Sequence, residues 1–169
     1  MRIMNVALMG MTLTLYSCNA GAEDWYTDTD VETLNGPLLL QTDDTSPLYN
    51  TRLLYGKNLI REYGEVNAEV AKAFPEHKAL VALIMLPSGG SGCPAMFELI
   101  DMTLTPVYVS PQFGSCSDIP IFEYTKKRLR MSFPTFTNEE RIYIYNVGSK
   151  KLLDNSSGPE KTLGDDAKE

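Results

Sequence analysis

Residues 79–86 read Ala-Leu-Val-Ala-Leu-Ile-Met-Leu, and residues 87–92 continue with Pro-Ser-Gly-Gly-Ser-Gly. The first stretch is apolar throughout and carries no charge, which is typical of a central strand that is buried on both faces. The second stretch is rich in glycine and ends the strand abruptly. We therefore expect a strand that runs through the middle of the fold.

Short apolar runs alternate with turn residues on either side of this strand, with a turn about every eight to twelve positions. This spacing is typical of antiparallel β structure, and no long helix is indicated. We predict an all-β fold, an antiparallel meander that forms a sandwich, a curled sheet or a partly open barrel. The predicted strands are residues 38–41, 51–55, 58–63, 79–86, 96–102, 106–110, 121–125, 129–133, 141–146 and 150–153.

Residues 66–74 fit both a helix and a strand. Their apolar residues recur at helical spacing, but Val66, Ala68 and Val70 also alternate as they would in a strand. Pro75 follows directly, and the neighbouring segments are predicted to be extended. We therefore favour a strand.

The first 22 residues have the layout of a secretory signal peptide. A positive start at Arg2 is followed by a mostly apolar run at residues 3–16 and by an Ala-x-Ala pattern that ends at Ala22. Residues 15–18 (Leu-Tyr-Ser-Cys) also resemble a bacterial lipobox, in which Cys18 is acylated, although the tyrosine departs from that pattern. We favour cleavage after Ala22 and a periplasmic or secreted protein. An outer-membrane lipoprotein is the alternative.

Residues 1–22 are thus assigned to the signal peptide, residues 23–153 to a single β domain and residues 154–169 to a disordered acidic tail. Residues 23–36 are acidic and rich in threonine, without hydrophobic periodicity, and are expected to form a leading arm or an irregular edge. No apolar run reaches the roughly 20 residues that a membrane-spanning helix needs, so no transmembrane segment is predicted.

The chain is acidic, with 15 basic and 22 acidic residues and a net charge of −7. Loss of Arg2 with the signal peptide leaves 14 basic against 22 acidic residues, a net charge of −8. Phosphate-rich partners attract basic surfaces, so neither nucleic acid nor an anionic membrane is expected as the main partner. Acidic charge suits a basic protein partner better.

Cys93 and Cys116 are the cysteines that remain once Cys18 is removed or acylated. An even pair in an oxidising compartment predicts a structural disulfide, which would contribute up to roughly 3.5 kcal/mol by chain entropy. Two thiols without nearby histidine or further cysteine are too few for a metal site, and neither metal nor cofactor is predicted. The glycines before Cys93 lack the lysine of a phosphate-binding loop and the last glycine of a nucleophile elbow.

Three segments of this region carry a resemblance to other proteins. They are Ser-Gly-Gly-Ser-Gly-Cys-Pro at residues 88–94, Ile-Asp at residues 100–101 and Ser-Pro-Gln-Phe-Gly-Ser-Cys-Ser-Asp at residues 110–118. The pattern resembles a signature of small exported proteobacterial proteins of uncharacterised function. The resemblance implies a periplasmic β domain with a cysteine bridge, and it assigns no catalytic residue.

No catalytic constellation is evident in the sequence. His77 is the only histidine and lies between charged residues in a turn-like setting, without an orienting partner or a nucleophile. A small secreted hydrolase would have to use Ser91 or His77. Residues 28–32 begin like a calcium loop but lack its glycine and its final glutamate. Asp101 and Asp118 are expected to cap turns. Because none of these residues forms a catalytic arrangement, the sequence favours a protein that is not an enzyme.

Tyrosines and basic residues supply the candidate partner-binding surface. Tyr143 and Tyr145 alternate with isoleucines and therefore share one strand face, with Tyr124 on a neighbouring hairpin. If that face is exposed, the three rings suit protein contacts; if it points inward, they belong to the core, which we favour. Lys126 and Arg128 form part of a basic ridge at the hairpin turn, which either meets an acidic partner or protects the strand edge.

Export, small size, a cross-linked β scaffold and acidic charge together favour a non-enzymatic periplasmic binding protein. Its expected partner is a protein, and its expected role is that of an inhibitor or immunity-type neutraliser of an envelope-targeting enzyme. One alternative is an envelope structural or accessory lipoprotein acylated at Cys18. The other is a small secreted hydrolase. The sequence indicates neither the oligomeric state nor the order of the strands in the sheets.

Overall fold

The computed structural model describes residues 25–43, 45, 50–64, 66–90, 92–137, 139–156 and 161–163. The predictions for the signal peptide and for Cys18 therefore lie outside the described residues, as does Ser91. Within the described residues the chain is all-β, with thirteen strands in three open antiparallel sheets and no helix. The predicted fold class is confirmed.

The first sheet contains four strands that lie side by side in chain order. β1 pairs with β2 along its length, apart from a bulge between Thr27 and Thr29. Of the residues expected to form a leading arm or an irregular edge, Trp25–Val31 therefore form a paired edge strand. Hydrophobic periodicity is missing there because most β1 side chains are exposed. The strands are β1 (Trp25–Val31), β2 (Leu38–Asp43), β3 (Asn50–Tyr55) and β4 (Asn58–Gly64).

The middle sheet is built around the apolar stretch at residues 79–86. Its four strands also lie in chain order. Residues 66–74 form a strand from Glu69 onward, as we favoured, because their backbone pairs with the apolar strand that follows. The strands are β5 (Glu69–Phe74), β6 (Val81–Gly90), β7 (Cys93–Asp101) and β8 (Tyr108–Val109).

The third sheet contains five strands in the order β13-β12-β11-β10-β9. These are β9 (Ile121–Thr125), β10 (Arg128–Pro134), β11 (Glu140–Asn146), β12 (Leu152–Asp154) and β13 (Lys161–Thr162). β13 lies within the segment predicted as a tail and pairs with β12. Lys126 and Lys127 join β9 to β10 with φ angles of 49° and 66°, the left-handed conformation that a tight hairpin turn requires.

Two separate cores lie between the three sheets, and β6 contributes to both. Val81 and Leu83 are fully buried in a core shared with the third sheet. Ala82 and Ile84 are fully buried in a core shared with the first sheet. Successive residues of a strand point to opposite faces, so a strand between two cores must be apolar at every position. The fold is a three-layer sandwich, and the prediction of a doubly buried central strand is confirmed.

The core between the middle and third sheets is aromatic near the disulfide. The ring centroids of Phe97 and Phe133 are 5.1 Å apart, and those of Phe113 and Tyr143 are 5.0 Å apart. Such pairs contribute about 0.5–1.5 kcal/mol each beyond simple burial. This cluster holds the segment that follows β8 against the third sheet.

Candidate functional site

The disulfide predicted between Cys93 and Cys116 is present. The two Cα atoms lie 4.3 Å apart and the bond closes a sequence separation of 23 residues. Cys93 is the first residue of β7, whereas Cys116 lies in the loop between β8 and β9. Between them, Phe97 and Phe113 exchange two backbone hydrogen bonds of 2.9 Å each. The disulfide thus fixes the start of β7 to an extended segment that continues beyond β8.

The same segment is also attached to the third sheet. Gly114 has a φ of 129°, and a Cβ there would lie 3.5 Å from the Phe97 ring. Its carbonyl oxygen accepts a hydrogen bond of 3.2 Å from the Tyr143 hydroxyl. The Ser115 hydroxyl donates to the Pro134 carbonyl at 2.6 Å. The disulfide loop is therefore a rigid bridge between two layers of the sandwich.

A groove of about 250 Å³ lies where this bridge meets the turn between β10 and β11. Two large apolar side chains at the groove are unusually exposed, Phe136 at 82% and Ile119 at 71%. Ile121, at the start of β9, is 60% exposed. Clustered exposed apolar side chains mark interaction surfaces in soluble proteins. The groove is lined by Pro94, Ser115, Cys116, Ser117, Asp118, Ile119, Pro134, Thr135 and Phe136.

Acidic side chains lie beside this apolar surface. Asp118 lines the groove. Glu139, hydrogen-bonded to Thr135, and Glu140, opposite Pro134 at the start of β11, are both exposed next to it. Arg141 is the one basic side chain among residues 139–141, and its guanidinium lies 3.5 Å from the Gly114 carbonyl oxygen. An apolar centre with a mostly acidic rim is complementary to a partner with basic residues around an apolar side chain.

Tyr143 and Tyr145 do not belong to a binding surface. Both are buried in the core between the middle and third sheets, so neither ring is accessible to a partner. The Tyr145 hydroxyl donates a 2.6 Å hydrogen bond to Asp101 Oδ2. Burial, and secondarily this bond and the Asp101 charge, raise the pKa of Tyr145 well above its usual range. The face that they share points inward, which is the orientation that we favoured, and this leaves neither residue available as a partner contact.

The remaining predicted contact residues occupy two other environments. Tyr124 is partly buried and stacks on Phe74 with ring centroids 5.5 Å apart; burial raises the pKa of its hydroxyl. Lys126 and Arg128 are exposed at the end of β10 opposite the disulfide groove. The structure therefore does not assemble the five predicted contact residues into one site.

His77 lies on the surface beside a shallow groove. The groove is lined by three acidic residues besides His77, namely Asp30, Glu32 and Glu76, and no Ser, Thr or Cys is among the described residues that line it. This part of the surface supplies no nucleophile for the histidine to activate. Among the described residues, no three His, Cys, Asp or Glu side chains are grouped so that they could hold a metal ion.

Sequence patterns missed Phe136, Ile119 and Ile121 because none of them lies in a recognisable motif. Phe136 stands alone among threonines in the stretch Thr-Phe-Thr at residues 135–137, and Ile119 lies between Asp118 and Pro120. The one sequence signal for an exposed contact residue was a large apolar side chain surrounded by turn-forming residues. It was weak because such residues often fold back onto a core.

No protein-family model, no curated protein and no solved structure matches this chain. Its function therefore has to be argued from its own geometry. In the part of the chain that the structure describes, no helix has the length and apolar character needed to cross a lipid bilayer.

Proposed function

We propose that this chain is a non-enzymatic binding protein of the periplasm that inhibits or neutralises an envelope-targeting enzyme. The observation that carries the proposal is the exposed apolar groove at the disulfide bridge. Phe136 and Ile119 stand on turns that a disulfide, a buried aromatic cluster and two hydrogen bonds hold in place. A preorganised apolar projection is the kind of feature that forms the centre of a protein interface.

The charge of the groove indicates the class of partner. Asp118 lines the groove, Glu139 and Glu140 lie beside it, and the whole chain carries a net charge of −7. Both favour a basic enzyme, because complementary charge accelerates association and fixes orientation. A disulfide persists in oxidising compartments, which supports a periplasmic location.

The proposal is tested with purified basic envelope hydrolases, assayed with and without the chain. We expect stoichiometric inhibition of one of them. Phe136→Ala should weaken that complex about 30-fold or more, as a central interface residue does. Leu59→Ala is the matched control, because Leu59 is also an exposed apolar residue, at 52%, but lies on β4 in the first sheet. An unweakened complex with Phe136→Ala would place the interface elsewhere, and equal weakening by both substitutions would indicate a general loss of stability.

The alternative of an anchored envelope protein depends on the N-terminus. The mass of the mature protein separates the two routes: cleavage after Ala22 leaves Glu23 as the first residue, whereas lipoprotein processing leaves an acylated Cys18. A lipid-modified Cys18 would favour the accessory lipoprotein over a freely diffusing inhibitor.

A further inference from the structure

Six turns from all three layers meet at the end of the sandwich opposite the disulfide groove. Backbone hydrogen bonds of 2.8–2.9 Å connect neighbouring turns to one another. In each, the backbone nitrogen of the first residue donates to the carbonyl oxygen of the second: Gly56 to Pro37, Ala79 to Glu32, Met102 to Leu80, and Val147 to Lys127. Gly148 N donates to Asp101 Oδ2 at 2.6 Å and joins the turn between β11 and β12 to the middle sheet. The turns are residues 32–37, 56–57, 75–80, 102–107, 126–127 and 147–151. We name this surface the turn end.

The turn end is strongly basic although the chain is acidic. Its residues include six lysines, all exposed, against two carboxylates, Glu32 and Glu76. Its net charge is therefore +4, and with −7 for the whole chain the remaining residues carry −11. Glu76 is moreover paired with Lys72 on β5 at 3.0 Å. The lysines are Lys57, Lys78, Lys126, Lys127, Lys150 and Lys151, and Arg128 lies next to them at the start of β10.

We propose that the turn end docks on an anionic phospholipid surface. Stacked sheets lie about 10 Å apart, so lysines from three layers are spread over roughly 20 Å, and a single small anion can meet few of them. An extended layer of phosphate headgroups can meet them all. Clusters of four to eight basic residues of this kind attract anionic lipid at about 1 kcal/mol per residue.

Two further features favour a lipid surface over an acidic protein. Lysine is depleted from protein interfaces, yet it supplies nearly all the positive charge of this surface. Leu34, in the first of the six turns, is 59% exposed and offers an apolar side chain for the headgroup region. The acidic remainder of the chain does not cancel the attraction, because charges more than about 10 Å away are screened in physiological salt.

The arrangement would orient the protein on the membrane. β10 runs from Arg128 at the turn end to Pro134 at the disulfide groove, and seven strand residues span about 20 Å. A protein bound through its lysines would therefore hold Phe136 and Ile119 away from the bilayer. Membrane docking does not depend on the proposed inhibitory function, since it uses the opposite end of the molecule.

The test is sedimentation of the purified chain with phosphatidylcholine vesicles, with and without phosphatidylglycerol. We expect binding that requires phosphatidylglycerol and is lost at about 0.5 M salt. Lys126→Gln/Lys151→Gln should weaken it about 30-fold. Lys126→Arg/Lys151→Arg, which keeps both charges, should bind normally. Arg141→Gln removes one positive charge at the groove end and should change binding by less than about twofold.

Four results would overturn the proposal. They are no dependence on phosphatidylglycerol, equal weakening by Arg141→Gln and Lys126→Gln/Lys151→Gln, displacement by inorganic phosphate at matched ionic strength, and equally tight binding to a soluble polyglutamate peptide. The third would indicate a small-anion site, and the fourth an acidic polypeptide partner. Vesicles without phosphatidylglycerol also report any contribution from the apolar N-terminal segment, and far-UV circular dichroism verifies the fold of each variant.

Discussion

The buried carboxylate of Asp101 accepts four hydrogen bonds, which hold a turn and connect two sheets. Its Oδ1 accepts hydrogen bonds from the backbone nitrogen and the hydroxyl of Thr103, at 2.8 and 2.6 Å. Its Oδ2 accepts from the Tyr145 hydroxyl and from Gly148 N, both at 2.6 Å. The first pair is the local turn cap expected of this aspartate. The second pair joins the middle sheet to the third and secures one corner of the turn end.

Removing the Tyr145 hydroxyl should change how stability depends on pH. The pKa of Tyr145 is raised in the folded protein by burial and by Asp101, so above about pH 10 the unfolded chain loses a proton that the folded protein retains. Stability therefore falls as pH rises. Tyr145→Phe should make this fall smaller by on the order of 1 kcal/mol between about pH 8 and pH 10.5, measured by urea unfolding at both values.

An unchanged pH slope in Tyr145→Phe would show that its hydroxyl titrates alike in both states. The partly buried Tyr63 also has a raised pKa, through burial of its hydroxyl first and the nearby Glu98 charge second. Tyr63→Phe should therefore reduce the slope in the same direction. At neutral pH Tyr145→Phe is expected to cost only the hydrogen bond of its hydroxyl to Asp101.

Among the elements, the disulfide and the aromatic cluster together hold one segment in place, the stretch from Ser110 to Cys116. The segment from Ser110 to Cys116 contributes only one isolated bridge, between Phe97 and Phe113. It is fixed instead by the covalent bond at Cys116 and by packing of Phe113 against Phe133 and Tyr143. A segment with few ladder hydrogen bonds needs such constraints to hold a defined conformation.

Cys93→Ser/Cys116→Ser should lower the free energy of unfolding by up to about 3.5 kcal/mol, the entropy of closing a loop of this length. Reduction of the unmodified protein should produce the same loss in urea unfolding, and the far-UV spectrum should remain that of β structure. If the two losses differ by more than about 1 kcal/mol, the serine side chains themselves disturb the packing beneath the groove.

At the scale of the whole molecule, the sandwich has two chemically different ends. The disulfide end presents an apolar groove with acidic residues around it. The turn end presents six lysines. Between them, the middle sheet shares one core with each outer sheet. The packing of both outer sheets therefore depends on β6, because its side chains fill the core on each face of the middle sheet.

Leu83→Ala and Ile84→Ala test whether both outer sheets depend on β6 for their stability. Leu83 faces the core with the third sheet and Ile84 the core with the first, and both are fully buried. Each substitution should cost about 2–5 kcal/mol. The only tryptophan, Trp25, reports on the first sheet, and circular dichroism reports on all three. Urea curves from both probes should coincide in each variant; separate midpoints would mean that the layers unfold independently.

Local patterns were sufficient for the fold class and for several elements. The charge-free run at residues 79–86 predicted a doubly buried strand, and the turn rhythm predicted antiparallel strands. Local patterns were not sufficient where exposure was decisive. Tyr143 and Tyr145 alternate in the same way whether their face is inward or outward, and β1 has no periodicity because it lies at an edge.

An all-β chain with a central apolar strand and a cysteine pair was predictable, because strand alternation, turn residues and cysteine count are local properties. The layer order, the burial of the tyrosines, the groove at Phe136 and the collection of six lysines at one end emerged from the packing of the three sheets. These features depend on turns that are distant along the chain but adjacent in space. Net charge alone does not report this collection of lysines, because it sums over a molecule whose two ends differ in charge.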